Sequence, residues 1–218
     1  LDHAEAKIVI VDREFMPVMQ DAMGRAAVKP LLIQYDDPEY EEPKIDERTL
    51  DYDVFVAGGD ANFAWLMPRD EWDAISINYT SGTTGNPKGV VYHHRGAYLY
   101  CMGTAAGLAL PQHPTYLYIV PMFHCNGWCH AWTMTMMAAT IVLTRVISAD
   151  AIFGAIKDHR VTHFAGAAVV LAMLVNAPEV QKPKLDYKVK VFPGGAPPPA
   201  AILQKMTEMG FEVMQVYG

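Results

Sequence analysis

Residues 80–89 read Thr80-Ser81-Gly82-Thr83-Thr84-Gly85-Asn86-Pro87-Lys88-Gly89, a mixture suited to holding phosphate. Glycines let a backbone bend closely around an anion with its N–H groups turned inward. The hydroxyls of Thr80, Ser81, Thr83 and Thr84 add donors, and Lys88 brings a mobile positive charge. The order is not that of a Walker A loop, because Pro87 precedes Lys88 and Gly89 follows it. A flexible surface loop of small residues is the plainer alternative. Against it, Ile75-Ser76-Ile77-Asn78-Tyr79 alternates apolar and polar residues, which predicts a strand running directly into the loop.

Several further places could do chemistry. His124 follows an apolar strand-like run, where an imidazole can offer a hydrogen bond to a carboxylate or an acyl phosphate, although a single histidine is more often structural. Gly194-Gly195-Ala196-Pro197 stands between a strand-like Val191-Phe192 and a proline-led helix. Such a turn either lays bare backbone against a flat ring or simply joins a strand to a helix. Tyr217 offers a face on which a purine can stack, or serves as a core or edge tyrosine. The cluster His124, Cys125, Cys129 and His130 has thiols and imidazoles of the kind zinc takes, but no second pair of ligands at a typical distance. Small hydrophobic packing of Cys125 and Cys129 near a helix start is the favoured reading, and no metal ligand is assigned. Trp128, Trp132, Met134, Met136 and Met137 read mostly as core.

These residues must be held by a fold, and the composition allows a sizeable one. With 218 residues, 51% hydrophobic and 19% charged, a large core can be buried. Strand and helix candidates alternate from residue 74 onward, with helices over 95–109, 127–139, 149–159, 168–176 and 198–209. Strands are expected at 116–120, 141–144, 162–165, 190–192 and 212–216, after earlier ones at 7–11 and 31–34. That rhythm predicts an α/β fold, a largely parallel sheet with helices on both faces. Residues 36–48, acidic and with two prolines, read as an exposed loop. A net charge of −7 argues against nucleic acid or an anionic membrane as partner. No apolar run is long enough for stable membrane insertion, and three cysteines suit a reducing, cytoplasmic setting.

The loop, taken with the segments after it, resembles the adenylate-forming (AMP-binding) superfamily of acyl-CoA synthetases, peptide-synthetase adenylation domains and luciferase. Residues 91–95 (Val-Tyr-His-His-Arg), Val120-Pro121-Met122-Phe123-His124-Cys125-Asn126-Gly127, Gly194-Gly195-Ala196-Pro197 and Gln215-Val216-Tyr217-Gly218 resemble the family's ordered motifs. Residues 92–96 and Trp128 look most similar to short- and medium-chain fatty acyl-CoA synthetases, including methylmercaptopropionate-CoA ligase. The resemblance implies that the chain is part of the large N-terminal domain of such an enzyme, residues 1–218 forming one partial adenylation domain. It also implies the reaction: ATP, with Mg2+, converts a carboxylic acid to an acyl-adenylate, and coenzyme A then takes the acyl group, as in fatty acid metabolism.

By the same resemblance, Thr80, Ser81, Gly82, Thr83, Thr84, Gly85 and Lys88 bind the phosphates, with Thr84, Lys88 and His124 acting in catalysis. Gly194, Gly195, Ala196, Pro197, Tyr217 and Gly218 contact the nucleotide, while His124, Trp128, Gly166 and Ala167 face the acid. One departure is Gly166-Ala167-Ala168-Val169, where many members carry a turn with proline and threonine. The start without methionine and the stop after a strand-like run suggest a chain cut at both ends. The magnesium-binding glutamate and the small C-terminal lid domain are then expected outside it, and the isolated piece should turn over negligibly. An amino-acid adenylation domain and a non-catalytic nucleotide-binding remnant are the alternatives. A homodimer is left open.

Overall fold

A computed structural model describes residues 1–41, 49–80 and 85–216 and divides the chain into two compact units, Leu1–Leu66 and Met67–Gly218. In the first unit, the β-branched run expected at residues 7–11 forms β1 (Ile8–Asp12). It pairs in parallel with β2 (Leu31–Tyr35), which pairs in turn with the short β3 (Leu50–Asp51). Helix α1 (Met16–Arg25) opens with proline in its first turn, where a missing N–H costs nothing, and α2 (Tyr52–Ala57) is capped by Asp51. Neither helix was expected from sequence. Residues 36–41 carry no strand or helix, and 42–48 lie outside the described residues.

The second unit opens with an antiparallel hairpin, β4 (Ala74–Tyr79) and β5 (Gly89–His93). Helix α3 (His94–Gly107) follows at once, its N-terminus capped by the His93 imidazole, which accepts from Gly96 N at 2.9 Å. A five-stranded parallel sheet comes next. Its strands are β6 (Thr115–Tyr118), β7 (Thr140–Leu143), β8 (His163–Ala167), β9 (Val189–Gly194) and β10 (Phe211–Val213), in the spatial order β10-β9-β8-β6-β7. The expected architecture is therefore present, with the hairpin as its antiparallel exception.

Alternation along the strands sends side chains to two cores. Leu117, Phe164 and Val191 point to one face, where they meet Ile152 and Ile156 of α6 (Ala149–His159), Leu171 and Leu174 of α7 (Ala168–Val175), and Met206 of α8 (Ala200–Glu208). Fully burying each such side chain stabilises by about 1.5–3 kcal/mol. Tyr116, Tyr118, Ala165 and Phe192 point to the other face, against Leu108, Leu110 and Met134. Helix α6 begins where Ser148 accepts from Ala151 N at 3.1 Å and ends at Arg160 in the left-handed region, φ 50°.

One expected element is corrected. The helix expected over 127–139 is broken into α4 (Cys125–Trp128) and α5 (His130–Met136). Residues 125–129 all have positive φ: Cys125 52°, Asn126 48°, Gly127 57°, Trp128 58° and Cys129 55°. Together they form a single left-handed turn, costing each L-residue roughly 1–2 kcal/mol. Sustained strain of this kind persists only where surrounding contacts over-determine it, and it concentrates at functional sites.

Candidate active site

The chain forms β6, crosses one face to β7 on one side, then returns across the opposite face through α6 to β8 on the other side of β6. The carboxyl ends of β6 and β8 therefore flank a topological switch point, where open α/β sheets bind their ligands. The predicted site residues of this sheet leave from the same carboxyl edge, at β6, β8 and the neighbouring β9. His124 lies on the loop after β6, Gly166 and Ala167 close β8, and Gly194 closes β9. Register sets the last three side by side, with Gly166 opposite Pro193 and Ala167 opposite Gly194. Gly166 is buried, with Val170 and Ile119 against its Cα, while Ala167 is exposed at the rim.

Trp128 joins the His124 loop to the Gly194 turn. A Cβ on Gly194 would lie 2.3 Å from the indole Cη2, so the ring edge abuts bare backbone there. Gly195, exposed and with φ 81°, has open space where a Cβ would be, and Ala196 and Pro197 are also exposed. The turn thus presents uncovered backbone, which fits a flat ring laid against it. Val216 N donates to Pro193 O at 3.0 Å, bringing the chain alongside this turn just before Tyr217 and Gly218, which lie outside the described residues.

The phosphate-type loop is closed at its base. Thr80 N donates to Lys88 O at 3.0 Å, and Lys88 N donates to Thr80 Oγ1 at 3.2 Å. Gly85 and Lys88 are exposed, and among the described residues the Lys88 ammonium has no partner. Ser81, Gly82, Thr83 and Thr84 lie outside the described residues. The His124 imidazole is likewise exposed and without a partner among the described residues.

Hairpin and His124 loop are tied together by residues that sequence reasoning missed. Asn126 Oδ1 accepts from Ser76 Oγ at 2.9 Å and from Asn78 Nδ2 at 2.5 Å. On the other hairpin strand, burial and then the adjacent Cys125 thiol push the Tyr92 hydroxyl up to about 12. Below the loop, Tyr118 Oη donates to Gly127 O at 3.2 Å. The Tyr116 hydroxyl meets His130 Nδ1 at 2.5 Å, and burial pulls that imidazole down to about 4, so it is neutral near pH 7. Of the expected thiols, Cys129 packs inside as proposed, and burial followed by the thiols of Cys101 and Cys125 raises it to about 11. Cys125, in contrast, is exposed rather than packed, because the left-handed turn carries it outward beside Tyr92. Among the described residues no three His, Cys, Asp or Glu side chains come together as a metal-ligating group.

Comparison with known proteins shows what the chain is similar to. The chain is 37% identical to the peroxisomal acetate/butyrate–CoA ligase AAE7 of Arabidopsis thaliana and 40% identical to the acetate–CoA ligase CCL3 of Humulus lupulus. Each alignment covers 100% of this chain and 40% of the relative, so the chain spans about two fifths of their length. In fold it resembles the inhibitor-bound N-terminal domain of FACL13 from Mycobacterium tuberculosis, with a TM-score of 0.81 and 24% identity over 100% of this chain and 52% of that one. The o-succinylbenzoate-CoA synthetase of Bacillus subtilis in complex with ATP and magnesium gives a TM-score of 0.66 at 22% identity, covering 99% of this chain and 50% of that one. Residues 1–218 match the family of AMP-binding enzymes throughout, and the chain belongs to that family.

Proposed function

We propose that this chain is the acid- and nucleotide-binding part of a longer AMP-forming acyl-CoA ligase. The observation that carries the proposal is the convergence of the Lys88 hairpin, the His124 loop and the Gly194 turn at the switch point of the parallel sheet. In the first half-reaction a carboxylate oxygen attacks the α-phosphorus of ATP and pyrophosphate leaves. In the second, the coenzyme A thiol attacks the acyl carbonyl and AMP leaves. Neither half asks for covalent catalysis by the protein. Its task is to align the acid with the phosphate and to offset developing charge.

In this proposal Lys88, with the hydroxyls and N–H groups of residues 80–85, holds the phosphates, Thr84 among them. His124 donates to the acid or the acyl phosphate. Gly194, Gly195, Ala196, Pro197, Tyr217 and Gly218 receive the adenine, while Trp128, Gly166 and Ala167 bound the acid. The open backbone at Gly195 supports the adenine assignment. Magnesium would neutralise phosphate charge, although the described residues bring no three His, Cys, Asp or Glu side chains together to hold it. Short acids are favoured, because the Trp128 edge fills the space over Gly194. Relatives named for acetate, butyrate and 2-methylpropanoate support the same choice. No helix of the described residues is long and apolar enough to cross a membrane, and three free cysteines fit a reducing compartment such as the cytoplasm. Mass-spectrometric detection of acyl-CoA and AMP, formed in equal amounts by the full-length protein from acids of two to ten carbons, tests the proposal. Formation of neither product would reject it.

A further inference from the structure

Two segments must meet for the proposed chemistry, and their backbones arrive from different parts of the fold. The hairpin carrying Lys88 is an antiparallel pair outside the five-stranded sheet, whereas the His124 loop grows from β6 within that sheet. One side chain bridges them through a single atom. Asn126 Oδ1 takes hydrogen bonds from Ser76 Oγ and Asn78 Nδ2, residues that lie 50 and 48 positions earlier in the chain. Ser76 and Asn78 are two residues apart on one strand, so they share a face of the hairpin, and both are half-buried. On the opposite face Ile75 and Ile77 are 37% and 42% exposed, which leaves the polar face as the one turned to the His124 loop.

The geometry points to Asn126 as the positioning residue of this site, a clamp that sets the spacing between the phosphate hairpin and the His124 loop. The chemistry explains why asparagine suits the place. A carboxamide oxygen has two acceptor sites and can receive both donors at once. The backbone of Asn126 sits at φ 48°, a conformation that asparagine tolerates better than most residues. From Asn78 the link reaches Lys88 in two further steps. Asn78 lies two residues before Thr80, and Thr80 is bonded both ways to the Lys88 backbone. From Asn126 it reaches His124 through one turn, whose Gly127 N donates to His124 O at 2.9 Å. A shift of the hairpin relative to the loop would move the lysine away from the phosphate that His124 meets. Misplacement by about 1 Å can cost a hundredfold in rate.

This inference rests on the acyl-CoA ligase reading, and its test separates the two. Asn126→Gly removes the clamp while relieving the left-handed strain, so the fold is kept. In the full-length protein we expect Asn126→Gly to lower the kcat of acid-dependent ATP–pyrophosphate exchange about 10- to 100-fold, with a smaller change in the KM for the acid. Asn78→Ala should act in the same direction, and Asn78→Ala combined with Asn126→Gly should be no worse than Asn126→Gly alone. Amide hydrogen exchange should quicken at 76–80 and 88–93 in Asn126→Gly, a readout independent of activity. A variant with wild-type kcat, or with additive losses, would overturn the clamp while leaving the ligase reading intact. If the wild-type protein shows no exchange with any acid, the ligase reading falls. The clamp then stands if the hairpin amides quicken and falls if they do not.

Discussion

At Gly194 the side chain that is missing matters as much as those present. Its Cα lies buried at the end of β9 with the Trp128 indole against it, so adding one methyl group forces the ring to move. Overpacking of this kind costs about 1–3 kcal/mol. We expect Gly194→Ala to lower the thermal midpoint and to raise the KM values for both ATP and the acid, since the proposal gives Gly194 to the adenine and the displaced Trp128 ring to the acid. A KM for the acid that does not change would place Trp128 away from the acid. The residues proposed to touch phosphate stand out in the sequence because glycine, hydroxyl and lysine crowd into ten positions, although 81–84 lie outside the described residues. Asn126 was not, because its partners are 50 and 48 residues away and such pairing leaves no local spacing to detect.

The element that most shapes the site is the left-handed turn at residues 125–129. It swings Trp128 toward β9, exposes Cys125 and breaks what would otherwise be one helix. Several contacts hold it: Asn126 to the hairpin, Tyr118 to the Gly127 carbonyl, and His130 to Tyr116 just after it. A Cβ at Gly127 would lie 2.0 Å from Tyr118 Oη, on a backbone already at φ 57°. We therefore expect Gly127→Ala to destabilise by about 2–4 kcal/mol, from left-handed strain and the clash together. Tyr118→Phe in the same chain should recover part of that, as chemical denaturation of the single and double variants would show; no recovery would mean that the hydroxyl is not what Gly127 accommodates. Helix α6 was read from sequence to its final residue because Ser148 caps it and an apolar stripe runs along it. The turn was misread because apolar and small residues continue through it at helical spacing, and only Asn126-Gly127 hints at positive φ. Helix α1 was missed for a related reason, since Pro17 and Gly24 fall inside it and weaken its pattern.

For the whole molecule, two buried imidazoles set a pH limit. Burial lowers both His130 and His163 from 6.5 to about 4, with Lys190 adding to the effect at His163. The folded state therefore takes up their protons later than the unfolded chain does. Stability from this source is complete above pH 6.5 and falls as pH drops from 6.5 toward 4. We expect the thermal midpoint to decline through that window, and His130→Gln, which keeps a polar partner for Tyr116, to flatten the decline; an unchanged slope would mean that His130 is not protonated on unfolding there. The same two-faced sheet that buries these histidines also presents the switch point to which the Lys88 hairpin is clamped, so fold and proposed activity share one origin. The most direct test is carboxylate-dependent ATP–pyrophosphate exchange by the full-length protein, with Lys88→Ala beside it. Exchange that requires a short acid and falls at least tenfold in Lys88→Ala would agree with adenylation at this site. A folded protein that binds ATP yet exchanges no pyrophosphate with any acid would contradict it.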